Sequence, residues 1–378
     1  MNLQAKKAPT SATHLAYLDG LRGLAALFVV VHHAYVTVWP EKNHPAGILK
    51  TALAPLGFGH YAVVAFIVLS GYCLMLPVLR AGDGRPRGSW RSFFTRRAWR
   101  ILPPYWLAML VTLGLIATAL GRKTGTHWDI CLPVTPRDVG GHFLLMQDLF
   151  NRAIGGRINH VYWSVAVEWH LYFLFPLLLW VYRKRGPTAM GAAALILGFG
   201  TGFVLRKTAL SGLTIHFLGL FGLGAFAAAV AALPKETYKI ARFSWGRLAF
   251  LAFVALGILS AWLGPDRAFG QWFALAAVDL LAGLFSALTI LAVATSPKEG
   301  KLAGFLSGKL PVFLGAMGYS LYLMHAPLLQ LLWQYGLHPL GLAPEATFAL
   351  LFAALPLVIG GCWLFYLACE RPFLTRKK

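Results

Sequence analysis

A chain of 378 residues that is 58% hydrophobic and only 12% charged, with a mean hydropathy of +0.64, is not built for water. Soluble domains carry about 25% charged residues, so composition excludes an ordinary soluble fold. The formal net charge of +21 would suit nucleic acid, but the 34 Lys and Arg fall in short loops between apolar runs. There they set topology and meet anionic headgroups, and a nucleic-acid partner is not expected.

In chain order, a polar leader (1–14) precedes a membrane domain expected over 15–373, and a short basic tail (374–378) follows. About 20 apolar residues cross a bilayer as a helix. Such runs are expected near 17–38, 58–79, 99–120, 160–182, 188–206, 212–233, 247–264, 272–294, 314–336 and 346–369, an all-α bundle of ten spans. Gly140–Phe150 is apolar but too short, and reads as an interfacial or re-entrant helix. With both termini cytoplasmic, the inner segments hold 22 basic residues and the outer loops 10, the asymmetry that sets orientation. The first run is interrupted by Asp19, Arg22, His32 and His33 without a small-residue cleavage site, unlike a secretory signal. Cys73, Cys131, Cys362 and Cys369 form no CxxC pair, so neither a disulfide framework nor a zinc site is expected. Glycines within 198–224 suit close helix packing.

Charge inside a span costs about 2.5–3.5 kcal/mol on insertion scales and marks function by default. In the first span Arg22 and His33 are eleven residues apart, which places them on one face about 16 Å apart along the axis. Asp19 shares that face, either as a local partner of Arg22 or as part of a polar stripe, whereas His32 points elsewhere. His33, deep and close to neutral pH in its ordinary titration, suits proton transfer. Arg97 and Arg100 open the third span, at the spacing of a phosphate clamp. In the fourth, Ser164, Glu168 and Tyr172 form one polar stripe beside Trp163. Glu168 either supports an imidazole or substrate hydroxyl, or pairs with Arg22 or Arg100. In the ninth, Tyr322 and His325 share a face ahead of Pro327. Asp279 and His216 stand alone, and are assigned to packing or hydrogen bonding.

The strings LDGLRGLAALFVVVHH (18–33), FIVLSGYCL (66–74), RRAWRILPPYW (96–106), YWSVAVEWHLYFLFP (162–176), YSLYLMHAPL (319–328) and ERPF (370–373) resemble the acyltransferase-3 family, in family order. The resemblance implies a ten-helix domain with acyl-CoA as co-substrate, entering from the cytoplasm, and no permanently bound cofactor. It implies transfer of a short acyl group, acetyl above all, to a hydroxyl of a carbohydrate or exported small molecule such as a macrolide, in a bacterial inner membrane. On it, His33 and Glu168 are the catalytic pair. Arg22, Arg97 and Arg100 hold acyl-CoA. Asp19, Trp163, Ser164, Tyr172, Tyr322 and His325 support the acceptor side. Two departures stand out: no esterase-like domain follows, and His170 replaces a frequent Gln. A proton-coupled secondary transporter or flippase would use the same buried His, Glu and Arg, although duplicated halves with broken helices are not visible in the sequence. A third reading, a His-x4-Asp glycerolipid acyltransferase, rests on His14 and Asp19.

Overall fold

The computed structural model describes residues 15–40, 44–86, 88–149, 155–233, 243–296 and 300–374. The His14 half of the dyad reading, the leader and the last four residues lie outside the described residues. Among those described, regular structure is helical throughout. The long elements are α1 (Ala16–Val38), α2 (His60–Ala81), α3 (Trp90–Leu115), α4 (Trp163–Leu205), α5 (Phe217–Ala231), α6 (Trp245–Gly270) and α7 (Trp272–Thr295), followed by α8 (Lys309–Ala316), α9 (Gly318–Leu331), α10 (Pro344–Ala353) and α11 (Leu355–Phe365). Apolar side chains line every one, so no single amphipathic stripe dominates. α6 illustrates the consequence: Phe250, Leu251, Phe253, Ile258 and Trp262 are all exposed, a face suited to lipid.

Among the described residues, seven helices are long and apolar enough to span a bilayer, or eight when the bent pair α8–α9 counts as one. The expected runs 160–182 and 188–206 are one 43-residue stretch, broken only at Gly186 with φ 85° and ψ −178°. A backbone at that φ favours glycine, because a side chain there meets the following carbonyl. The run expected at 212–233 is shorter, as the 15-residue α5. Around the expected 140–150 element the helix is Pro136–Phe143, started by a Thr135–Asp138 capping box; Phe150 lies outside the described residues. All four cysteines are free.

Two backbone-to-backbone approaches fix the frame of the site. A Cβ on Gly20 would fall 1.8 Å from the Leu306 carbonyl oxygen, and one on Gly315 would fall 1.9 Å from that of Asp19. α1 therefore touches α8 and the short helix Lys301–Leu306 before it without intervening side chains, the small-residue packing used where no hydrophobic force drives helices together. Within 198–224, Gly198 and Gly224 behave in the same way, while a Cβ on Gly200 meets nothing within 4 Å: one on Gly224 would fall 1.9 Å from the Val68 carbonyl oxygen, locking α5 to α2.

α8 and α9 meet at a 77° bend around Met317. The sequence shows no sign of this broken span. Buried Glu370, next to α11, accepts from the Ser320 backbone N–H at 2.9 Å and its hydroxyl at 2.5 Å. It thereby satisfies donors in the first turn of α9 that the break leaves without helical partners. The ERPF string thus closes the bend.

Candidate active site

α1 runs through the site from one end to the other. At its first turn Arg22 pairs with Asp19 at 2.7 Å, the local pair that spacing allowed. The Arg22 side chain crosses the α8–α9 bend, since a Cβ on Gly318 would lie 3.3 Å from its Cγ. Arg97 and Arg100 arrive from α3, where the Tyr319 hydroxyl bonds the Ile101 carbonyl at 3.1 Å. Arg22 and Arg97 both lie within electrostatic range of Arg100, and Cys73 of α2 feels all three. The three arginines predicted to hold acyl-CoA therefore converge. Arg100 is exposed, Arg22 and Arg97 are half-buried, and the buried Nε of Arg97 has no hydrogen-bond partner.

Glu168 belongs to this arginine end. Its Oε1 accepts from the Ser70 and Tyr172 hydroxyls, each at 2.7 Å, and Arg97 lies 5.9 Å from the centre of the Tyr172 ring. Of the expectations for Glu168, neither the contact with an imidazole nor the ion pair with Arg22 or Arg100 is among these contacts, whereas the carboxylate does hold hydroxyls, the kind of group the third expectation assigned to it. The physical reason is position along α4: Glu168 stands one turn beyond Ser164, toward α3, while the imidazoles gather before the helix begins. Ser70, which completes this network, was not singled out by sequence, because its partner is on a distant helix.

His33 occupies the other end, about 16 Å from Arg22 along α1. Its ring faces the bundle interior. His325 Nδ1 must donate to the Leu321 carbonyl at 2.9 Å, so the Nε2 of neutral His325 is an acceptor. His33 Nδ1 then donates, either to that Nε2 or to the Val29 carbonyl, both 2.9 Å away. The tautomer of His33 follows: Nδ1 carries the proton and Nε2 keeps a bare lone pair. His325, expected among the acceptor or supporting residues, hydrogen-bonds His33 and so orients its ring.

Further imidazoles surround it. His160 and His32 lie 4.6 and 4.7 Å from His33, ring centre to ring centre, and His127 lies 6.1 Å away. His32 does turn toward another element, bonding the Leu56 carbonyl at 2.6 Å, yet its ring edge still touches His33. His33, His127 and His160 each present a nitrogen within 4.8 Å of the others, a donor set that could hold a metal ion. Sequence gave no hint of it, since these residues belong to three separate elements.

The remaining expected residues brace this end. The Ser164 and Tyr322 hydroxyls bond each other at 2.6 Å, and Tyr322 also donates to the Val161 carbonyl at 3.0 Å. Trp163 stacks on His60 with ring centres 5.8 Å apart. Asp279 and His216 are not isolated: His60 and His216 flank fully buried Asp279, each Nε2 at 2.9 Å from one carboxylate oxygen. His170 faces Asp148 at 3.3 Å.

A site with clustered arginines at one end and a poised imidazole at the other fits what sequence comparison finds. The sequence profile of an acyltransferase domain matches residues 15–367. The chain belongs to the acyltransferase-3 family. Among curated relatives, the O-acetyltransferase OatA of Staphylococcus aureus strain NCTC 8325 / PS 47 is 24% identical over 339 residues, covering 84% of this chain and 51% of its own. The putative O-acetyltransferase SACOL0978 of S. aureus strain COL is 25% identical over 349 residues, with the same coverage. This acyltransferase-3 chain thus spans about half the length of the curated relatives it matches. No solved structure matches it significantly.

Proposed function

We propose that the protein is a membrane O-acyltransferase that moves a short acyl group, acetyl foremost, from acyl-CoA to a hydroxyl of a carbohydrate or exported small molecule. The observation that carries this reading is the bare Nε2 of His33, held in one tautomer by His325 and the Val29 carbonyl. The arginine end and the imidazole end lie about 16 Å apart. The arm between the phosphates and the thioester of acyl-CoA spans a distance of this order.

In the proposed reaction, Arg22, Arg97 and Arg100 bind the CoA phosphates, and Glu168 with Ser70 and Tyr172 keeps that end ordered. His33 Nε2 takes the proton of the acceptor hydroxyl as its oxygen attacks the thioester carbonyl. The tetrahedral intermediate collapses, the C–S bond breaks, and the imidazolium returns the proton to the departing thiolate. General-base assistance of this kind contributes about 10²–10⁴-fold. No acyl-enzyme is needed.

The same reading assigns the cell membrane as location, ten spans and cytoplasmic termini. Counting the two arms of α4 about Gly186 separately, and adding α5 to the other spans, approaches that number. The break at Met317 is a feature also used by transporters, so the test must separate catalysis from transport. Purified protein with labelled acetyl-CoA and a panel of glycans should release CoA only when an acceptor is present. His33→Ala should reduce this release at least 10²-fold while the protein keeps its size-exclusion profile. Full activity in that variant removes His33 as the base.

A further inference from the structure

The imidazole end holds more than one base requires. His33 comes from α1, His127 from the short turn His127–Cys131, and His160 from the segment just before α4. One nitrogen of each lies within 4.8 Å of the others. Two of the rings are already arranged as ligands. His33 is anchored through Nδ1, which frees Nε2. His160 Nδ1 lies 3.4 Å from the Cys131 sulfur; with Nδ1–H donating to that sulfur, the buried Nε2, which has no hydrogen-bond partner among the described residues, is bare. A bond on one ring nitrogen that presents the other is the usual outer arrangement of metal-binding histidines. Buried polar atoms without partners are rare and call for a ligand or another explanation.

The third ring supplies the adjustment. A tetrahedral ion with bonds of about 2.0–2.1 Å needs donors about 3.4 Å apart, so the three nitrogens must close by roughly 1 Å. The His127 ring makes no hydrogen bond among the described residues and sits on a turn of five residues. It packs edge-on against the His160 ring, with centres 4.7 Å apart, so the closing movement is a shift of this ring within that contact. Three neutral imidazoles without a carboxylate suit zinc, cobalt or nickel and not magnesium or calcium, which take oxygen ligands.

We infer that His33, His127 and His160 form a binding site for a divalent transition-metal ion, and that the bound ion switches acyl transfer off by occupying the His33 lone pair. The first half stands on the geometry alone; the second rests on His33 being the base. Inhibition follows because a nitrogen bound to the ion cannot accept the acceptor's proton.

The test uses full-length protein in detergent, washed with a chelator and titrated with Co²⁺. A visible absorption band of low-symmetry cobalt should grow to one equivalent, yield to Zn²⁺, and persist in excess Mg²⁺. His127→Gln and His160→Gln should each weaken Co²⁺ binding at least tenfold, with size-exclusion profiles showing that the variants remain folded. Absence of the saturable band, or binding by both variants as tight as by the unaltered protein, overturns the site. Where transfer is measured, Zn²⁺ should inhibit at the concentration at which it binds, and His127→Gln should raise that concentration at least tenfold. Stoichiometric Zn²⁺ with undiminished or enhanced transfer overturns the switch. The cobalt titration reads the site even if no acceptor supports transfer, so failure of the proposed function and failure of the metal site are told apart.

Discussion

In the proposed reaction His325 bears on catalysis through His33 rather than by itself. Its Nε2 accepts from His33 Nδ1 at 2.9 Å only because its own Nδ1 is committed to the Leu321 carbonyl. Removing it leaves Val29 as a partner, which tolerates rotation of the ring and weakens the lock on the tautomer. His325→Ala should therefore lower kcat about 10–100-fold, in keeping with losses at groups that orient a functional histidine, and should leave KM for acyl-CoA nearly unchanged. His325→Gln, whose amide oxygen can accept from Nδ1, should recover part of the rate; equal kcat in the three proteins would deny the positioning role. Glu168 invites the opposite split. Its carboxylate holds Ser70 and Tyr172 at the arginine end, so Glu168→Gln should raise KM for acyl-CoA several-fold more than it lowers kcat. Steady-state kinetics with acyl-CoA as the varied substrate decides this, and a pure kcat defect would move Glu168 back to the reacting atoms.

At the level of elements, the site depends on helices that meet without side chains between them. Gly20 and Gly315 each leave no room for a Cβ against the partner's backbone. That contact sets where Arg22 crosses the α8–α9 bend and, along α1, where His33 arrives. Replacing Gly315 by Val would drive α8 away from α1, a small-to-large change at a closed contact, for which costs of about 1–3 kcal/mol or more are usual. Gly315→Val should therefore lower the thermal midpoint in detergent and reduce transfer, while Gly304→Ala, which a Cβ enters without meeting anything within 4 Å, should change neither. Parallel melting curves for the three proteins would show that the close approach is not required. The sequence made α1 legible because Asp19, Arg22 and His33 lie on one helix, where spacing alone fixes their common face. It left α9 half-read: Tyr322 and His325 were visible, but the break at Met317 and its closure by Glu370, fifty residues downstream of Ser320, depend on tertiary contact.

Across the whole molecule the same distinction holds. Composition and the basic loops announced a membrane bundle, and the family strings spanned it. The networks between helices were not legible, because Ser70 with Glu168, His127 with His160, and His60 with Asp279 and His216 pair residues that no helical period connects. The proposed orientation adds direction. Arg97 and Arg100 lie in the first three turns of α3, after Arg80 at the end of α2, Arg85 in the connection and Arg91 at the start of α3, the kind of basic run expected on the cytoplasmic side. The imidazole end lies beyond it along α1, next to His127 and His160, which belong to the connection from α3 to α4. Donor and acceptor should then reach the thioester from different sides. Because acyl-CoA does not cross a sealed bilayer, inside-out membrane vesicles should consume it at least tenfold faster than right-side-out vesicles, and a detergent that permeabilises both should abolish the difference. Equal rates in the two sealed preparations would place the arginines on a path open to both faces, and the donor route drawn along α1 would have to be abandoned.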